Sequence, residues 1–128
     1  MADCKRAVAL LATYANKTPE TADLLLDWNK VIQFNLLGEE PFYVEAKDGV
    51  VAVHDGKHEK PDVTFKATSE FFLKIIKGEA NPDEAFLTRK YEISGSIVDA
   101  SKFRRLAEVV QNSHKTMFGV LRTLSKFT

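Results

Sequence analysis

Three groups of side chains in this chain are of types that carry out chemistry. Cys4 could serve as a nucleophile, and His54 with His58 has a spacing that can hold a metal ion when both lie on one helix. Asp83 and Glu84 are adjacent carboxylates, which could act as a general acid and a general base. Whether they do so depends on the elements that position them.

Each group also has a structural explanation, which we favour. Cys4 lies on the apolar face of a predicted helix with no histidine near it in sequence, which indicates a buried, unreactive thiol. An Asp-Gly turn separates the two histidines, so a solvated turn is favoured over a metal site. Asp83 and Glu84 open a predicted helix, where carboxylates cap free amides. No nucleophile, base and orienting group come together, so we expect a protein that is not an enzyme, with no catalytic residue, metal site or cofactor.

The charge of the chain is balanced, with 18 basic and 18 acidic residues among 128. The basic field typical of nucleic-acid binding is absent, so we expect no nucleic-acid partner. Lys102, Arg104 and Arg105 form a local basic cluster, for which a solvated helix face is favoured over contact with an anionic head group. The sequence leaves open a transient contact with a membrane surface and a homodimer.

Cysteine content and the two ends of the chain favour a cytoplasmic protein. Cys4 is the single cysteine and cannot form an internal disulfide, which favours a reducing compartment. The apolar run AVALLATYA is preceded by Asp3 and is short, with no continuation, which argues against a signal peptide. No stretch approaches the ~18 consecutive apolar residues of a spanning helix. The chain ends in LSKFT, which is not the peroxisomal address Ser-Lys-Leu.

Hydrophobic spacing predicts helices first and strands next. Apolar residues recur every three or four positions in 3–15, and a second helix is predicted with Thr18 as N-cap and Pro19 in the first position. The period then changes to two in the runs NKVIQFNLLG, PFYVEAKDG, VVAVHDG and DVTFKA, with Gln33 on the polar side of the first. The Asp-Gly pairs at Asp48 and Asp55 predict tight turns, so we expect an antiparallel meander with one apolar face.

The second half of the chain predicts the cover for that apolar face. Ser69 is the expected N-cap of a helix that stops at Gly78, and Asn81 begins a short helix. KYEIS is a predicted fifth strand, and a long helix follows Gly95. We therefore predict a single α+β domain, residues 1–128. Its parts are N-terminal helices in 1–28, a sheet and helix core in 29–112 and a C-terminal amphipathic tail in 115–128.

The run FKATSEFFLKIIKGEANPDEAFLTRKYEISGSIVDASKF closely resembles the sterol carrier protein type-2 family. Together with the preceding strands, it looks like a bacterial or archaeal member over roughly residues 29–110. The matching positions are Ser69, Gly78, Asn81–Pro82, Ala85–Phe86, Lys90 and Gly95. Arg89 stands where the family commonly has glycine, and there we expect this chain to differ.

The resemblance implies a mixed, mainly antiparallel sheet of about five strands, covered on one face by helices, with a hydrophobic tunnel between the layers. It implies non-catalytic binding and transfer of apolar lipids such as fatty acids, fatty acyl-CoA or sterol-like molecules. The side chains expected to line this tunnel or flank its mouth are Phe65, Phe72, Ile76, Phe86, Ile93, Phe103, Leu106, Val110, Met117 and Leu121. An empty tunnel of ~300 Å³ would cost about 7 kcal/mol, so we expect it to be filled, wet or partly collapsed.

The alternative is an accessory protein-interaction module with the same fold and a closed core. A close-packed core would use the same apolar residues as a tunnel. In that case an apolar face of the tail, with Phe118, Leu121 and Phe127, would be the contact patch for another protein.

Overall fold

The structure is a computed structural model, which describes residues 3–76, 79 and 91–113. Its elements in chain order are α1 (Asp3–Ala15), a 3₁₀ turn (Pro19–Thr21), α2 (Ala22–Leu25), β1 (Lys30–Leu37), β2 (Phe42–Lys47), β3 (Val50–Asp55), β4 (Val63–Thr68), α3 (Ser69–Ile76), β5 (Glu92–Gly95) and α4 (Ile97–Ser113). The predictions for Gly78, Asn81–Glu84, Arg89 and the tail 115–128 lie outside the described residues. Within the described ranges, no helix is both long enough and apolar enough to cross a membrane.

The five strands form one mixed sheet in the order β3-β2-β1-β4-β5. Three of its pairs are antiparallel, and β1 and β4 run parallel, with Ile32 opposite Val63. The α+β class with a mixed, mainly antiparallel sheet is therefore confirmed. The simple meander is wrong at one link, because β4 crosses over to pair with β1 and not with β3.

Gln33 binds the segment that crosses from β3 to β4. Its buried amide donates to the carbonyl oxygens of Phe42 and Gly56, at 3.0 and 3.1 Å, and accepts from the His58 amide at 2.8 Å. The segment between β3 and β4 is thus bound across the face of the sheet that points away from the helices. Gln33 was predicted for this polar face, and the segment that crosses the face supplies hydrogen-bond partners for its buried amide.

The inner face of the sheet is centred on Phe34, which is fully buried. Its ring centroid lies 4.8 Å from that of Phe42, 5.4 Å from Phe65, 5.5 Å from Phe72 and 5.7 Å from Phe103. These rings come from β2, β4, α3 and α4, so one aromatic cluster joins the sheet to both of these helices.

Two predicted helix caps differ in the structure. The Phe71 amide donates to the Thr68 hydroxyl at 3.1 Å, so Thr68 and not Ser69 caps α3. Ser69 is adjacent and equally suited by type, but its hydroxyl is bound by the carboxylate of Glu39. Thr18 precedes the 3₁₀ turn as expected, yet its hydroxyl donates back to the Tyr14 carbonyl and does not cap the turn.

Candidate functional site

A small apolar cavity lies between α1, the β2–β3 hairpin and α4. From α1 and the sheet it is lined by Val8, Leu11, Ala12, Ala15, Val44 and Val51. The space free of atoms, including its opening to solvent, is about 250 Å³, but the centre of a water molecule fits in only about 10 Å³ of it. That is room for about one water. As the described residues form it, this cavity is too small to hold a lipid.

Three predicted lipid-binding residues line this cavity from α4. They are Phe103, Leu106 and Val110, and Ala107 lies with them. Their spacing of three and four residues places them on one helical face, as predicted. Phe103 also belongs to the aromatic cluster, with its ring centroid 6.1 Å from that of Phe65. It is therefore shared by the cavity and the cluster.

Four other predicted residues lie in the same core but not on the cavity. Phe65 and Phe72 are buried in the aromatic cluster, with their ring centroids 6.2 Å apart. Ile76 and Ile93 are partly buried and pack against that core. The predicted positions outside the described residues are Phe86, Met117 and Leu121.

The prediction missed the contribution of α1 and the hairpin. The sequence predicted an amphipathic helix with Val8 and Leu11 on its apolar face, and Ala12 and Ala15 extend that face in the i, i+3, i+4, i+7 pattern. The alanines in that face were the available signal, because small side chains leave room between a helix and a sheet.

The N-terminus of α1 is held by Glu39 from the β1–β2 loop. This carboxylate accepts hydrogen bonds from the Cys4 amide at 3.0 Å and the Lys5 amide at 3.2 Å, and from the Ser69 hydroxyl. Burial opposes its ionisation, but the bonds from Ser69 and from the helix amides outweigh burial, so the pKa of Glu39 is below its ordinary value. An ionised carboxylate at this position also complements the helix dipole.

Cys4 lies beside Glu39 and is fully buried, as predicted. Its thiol donates to the Ser69 carbonyl oxygen at 3.1 Å. Burial raises the pKa of the thiol to about 12; a hydrogen bond with Ser69 opposes this and the Glu39 carboxylate adds to it. The thiol stays protonated at neutral pH, so it serves to position α1 and not as a nucleophile.

Asn16 holds the other end of α1. Its side-chain amide donates to the Val51 carbonyl oxygen at 2.8 Å, and its side-chain oxygen accepts from the Val51 amide at 2.8 Å. Since β3 is an edge strand, this amide pairs with it as a neighbouring strand would. The hydrophobic spacing in 3–15 predicted the helix but not this pairing.

The start of α4 is held by a buried carboxylate. Asp99 accepts from the Trp28 indole at 2.9 Å, its second oxygen lies 3.6 Å from the Lys30 ammonium, and its amide donates to the Ser96 hydroxyl at 3.1 Å. Burial opposes ionisation, but the bonds from Trp28 and Ser96 and the charge of Lys30 keep the pKa of Asp99 below its ordinary value. Ser96 and Asp99 form a capping pair at the helix that carries Phe103 and Val110.

Asp99→Asn tests this capping network. Asparagine can still accept from Trp28 but loses the charge, so we expect a free energy of unfolding about 1 kcal/mol lower at pH 7. Because the folded pKa is depressed, the stabilisation by Asp99 is present above about pH 4, the unfolded value, and is lost as the pH falls further. Urea unfolding at several pH values measures this, with exposed Asp48→Asn as the control. An equal difference between wild type and Asp99→Asn at every pH would contradict the assignment.

The two histidines lie outside the cavity. The Tyr43 ring centroid is 5.1 Å from that of His54 and 5.2 Å from that of His58, and His58 Nδ1 accepts from the Lys60 amide at 3.0 Å. Among residues 3–76, 79 and 91–113, no three His, Cys, Asp or Glu side chains are grouped so that they could hold a metal ion.

Comparison with known proteins gives relatives for both sequence and fold. Sterol carrier protein 2 of Arabidopsis thaliana is 37% identical over 67 residues, 51% of this chain and 53% of that protein, so the match spans about half of the relative. A fatty acid-binding protein of Yarrowia lipolytica (strain CLIB 122 / E 150) is 23% identical over 104 residues, 77% of this chain and 81% of that protein. The solution structure of the sterol carrier protein domain 2 of Helicoverpa armigera has a TM-score of 0.66 at 27% identity, over 80% of this chain and 84% of that chain.

The family assignment depends on a match to a family model that spans more than half of the chain. Residues 9–108 match the SCP-2 sterol transfer family, a range that includes all five strands and most of α1 and α4. The resemblance seen in the sequence is thus confirmed. The chain belongs to the SCP-2 sterol transfer family.

Proposed function

We propose that this chain binds an apolar lipid between α1, the β2–β3 hairpin and α4, and carries it without catalysing a reaction. The observation that supports this most is the lining of the cavity, in which the described residues are all Val, Leu, Ala or Phe. Such a lining binds by removing apolar surface from water, at roughly 25 cal/mol per Å². It offers no directional contact to select one head group, so fatty acids, fatty acyl-CoA and sterol-like molecules are all proposed ligands. The names of the Arabidopsis and Yarrowia relatives support two of these classes, sterol-like molecules and fatty acids.

Binding requires the cavity to expand. Ligand pockets are usually about 300–1,000 Å³, and the cavity here admits the centre of a water molecule in only about 10 Å³. A cavity this small avoids the free-energy cost of an empty tunnel. A bound lipid would replace the van der Waals contacts that are lost when the helices separate from the sheet. We therefore propose that the ligand itself opens the site.

Phe103 indicates the direction of that expansion. It lines the cavity and its ring also packs against those of Phe34 and Phe65. A change of its rotamer would join the cavity to the cluster that holds Phe65 and Phe72. Contacts of the ligand with Phe103, Leu106 and Val110 are thus proposed to form first. The remaining predicted residues, which stay proposals, are Phe65, Phe72, Ile76, Phe86, Ile93, Met117 and Leu121.

A second candidate function is favoured by the small size of the cavity. If the core is closed in every state, the chain has the family fold but no lipid-binding site. It would then serve as an accessory module that binds another protein. This candidate and lipid carriage differ in one measurable property, the binding of a free fatty acid.

Titration of the delipidated chain with cis-parinaric acid, a fluorescent fatty acid, tests the proposed function. We expect saturable binding with one site per chain. Ala12→Leu fills the cavity from α1 and should weaken binding at least about tenfold. Ala9→Leu is the matched control, since Ala9 lies on the same helix and does not line the cavity. Thermal unfolding of both variants verifies that they are folded.

Two results would contradict the proposal. Wild type that shows no saturable binding would exclude lipid carriage and favour the accessory module. Equal affinities for Ala12→Leu and Ala9→Leu would place the ligand outside this cavity.

A further inference from the structure

Lys30 and Asp99 are charged side chains at the ends of the two apolar faces that border the proposed lipid site. Asp99 lies one turn before Phe103 on α4, and this spacing of four residues places both on one side of the helix. Lys30 begins β1 and alternates with Ile32 and Phe34, so it projects from the same face of the sheet as these buried residues. The layer between helix and sheet therefore becomes polar at this end.

Four side chains are in contact there. The Trp28 indole donates to one Asp99 oxygen at 2.9 Å, and the other Asp99 oxygen lies 3.6 Å from the Lys30 ammonium. The Lys102 ammonium lies 5.4 Å from the centroid of the Trp28 ring. We call these four residues the Trp28 cluster. It contains two cations and one anion.

The Trp28 cluster adjoins the cavity along both layers. In the sheet, Lys30 is opposite Ala46, and Ala46 is opposite Val51, which lines the cavity. Two steps across the sheet are about 10 Å. On α4, the rise from Asp99 to Phe103 is about 6 Å. A hydrocarbon chain that fills the expanded cavity beside Phe103 can therefore have its polar end at the cluster.

Both ammonium groups of the cluster have N–H donors for a further acceptor, since each group has three. Lys102 contacts the face of the Trp28 ring, and no hydrogen bond or ion pair joins its ammonium to any residue in 3–76, 79 and 91–113. The 3.6 Å from Lys30 Nζ to its carboxylate partner is longer than a hydrogen bond, and the Lys30 side chain is 38% exposed. An anion can therefore bind here without breaking a hydrogen bond.

Two other carboxylates flank the Trp28 cluster. Asp27 precedes Trp28 and is exposed, so water and salt screen its charge. Asp62 precedes β4, and its carboxylate accepts from the Val31 amide at 2.8 Å. Within the part of the chain that the structure describes, neither carboxylate forms an ion pair with a lysine of the cluster. The excess positive charge of the cluster is thus not neutralised by direct contact.

We propose that the ammonium groups of the Trp28 cluster bind the carboxylate of a fatty acid, with its hydrocarbon chain directed toward Phe103. The inference rests on the proposed function and deepens it, because it selects one of the proposed ligand classes and orients that ligand in the site. Of the basic residues Lys102, Arg104 and Arg105, which adjoin in sequence, it assigns contact with a head group to Lys102.

The chemistry of the Trp28 cluster favours a fatty acid over the other proposed ligands. A carboxylate is compact and joined directly to the chain, so it can reach the polar end of an otherwise apolar layer. Its hydrogen bonds with ammonium groups are charge-assisted and about twice as strong as neutral ones. The hydroxyl of a sterol-like molecule has no charge, and the thioester of an acyl-CoA has none beside its chain.

Titration with cis-parinaric acid and with its methyl ester tests this contact, because the ester keeps the chain and removes the charge. We expect wild type to bind the acid at least about tenfold more tightly than the ester. Lys102→Met should weaken binding of the acid about fivefold and leave that of the ester unchanged. Lys102→Arg keeps the charge and should keep the preference for the acid. Lys66→Met is the matched control, since Lys66 is exposed and alternates with buried Phe65 onto the other face of the sheet.

Quenching of Trp28 fluorescence measures the orientation of the ligand independently. Trp28 is the single tryptophan of the sequence, and its ring contacts the Lys102 ammonium. Bromine quenches tryptophan fluorescence only at short range. Palmitic acid brominated beside the carboxylate should therefore quench Trp28 more strongly than palmitic acid brominated near the methyl end.

Three results would overturn the inference and leave lipid carriage in place. They are equal affinities of wild type for acid and ester, equal effects of Lys102→Met and Lys66→Met on the acid, and stronger quenching by bromine near the methyl end. Weakening of acid and ester by the same factor in Lys102→Met would also overturn it, by showing that Lys102 acts only on the fold. Wild type that binds neither acid nor ester would overturn the proposed function itself.

Discussion

Phe34→Ala is expected to lower the free energy of unfolding by about 4 kcal/mol, the largest effect that we predict for a single substitution. Phe34 is fully buried, and its ring contacts rings from two other strands and from two helices. Removal of the Phe34 ring leaves a cavity between the sheet and the helices. The surrounding strands and helices hold one another in place, so they cannot move in to fill it. Because small domains are stable by only about 5–15 kcal/mol, the variant should be close to unfolding.

Urea unfolding at 25 °C measures this loss, as a lower midpoint with an unchanged slope. Phe71→Ala is the control, since Phe71 lies on α3 beside Phe72 but is only partly buried. We expect it to cost about 1–2 kcal/mol. A Phe34→Ala variant as stable as Phe71→Ala would show that the aromatic cluster does not join the layers.

Gly95→Ala is expected to cost about 3 kcal/mol or more, for two separate reasons. Gly95 has a φ of +94°, in the region that favours glycine. A β-carbon there would also lie 2.3 Å from the Asp62 carbonyl oxygen. That oxygen cannot move easily, because it accepts from the Ser96 amide at 2.9 Å while the Asp62 amide donates to the Val31 carbonyl oxygen at 2.9 Å.

Gly56→Ala separates the two reasons. Gly56 has a φ of +95°, but a β-carbon there would meet no atom within 4 Å. We expect it to cost about 1 kcal/mol, from backbone strain alone. The difference between the two variants in urea unfolding is therefore the cost of the close approach between β5 and β4. Equal losses would show that this approach can relax.

The sequence predicted most elements of the fold but not the position of β4. Alternation of apolar residues depends on local burial, and it correctly indicated all five strands. The Asp-Gly pair at Asp55 is compatible with a hairpin and with the start of a crossover. The crossing segment is bound by the buried amide of Gln33, whose partners lie up to 25 residues away in sequence and cannot be read from local alternation.

The candidate site was predicted on one side only. The common face of Phe103, Leu106 and Val110 could be predicted from their spacing on one helix, and their role in a tunnel was implied by the family resemblance. The lining from α1 depends on where that helix lies on the sheet. Its position is set by Glu39 and Asn16, two polar residues whose partners are about 35 residues distant and carry no periodic signal.

The pairing of Asn16 with Val51 has a consequence for assembly. Both backbone groups that Val51 turns away from β2 are occupied, so a strand from another molecule cannot continue the sheet by hydrogen bonding at this point. A protein whose helices separate from its sheet to admit cargo risks polymerising through that sheet each time it opens. Asn16, at the end of α1, blocks the addition of another strand at Val51. It does so as long as this end of α1 stays in place.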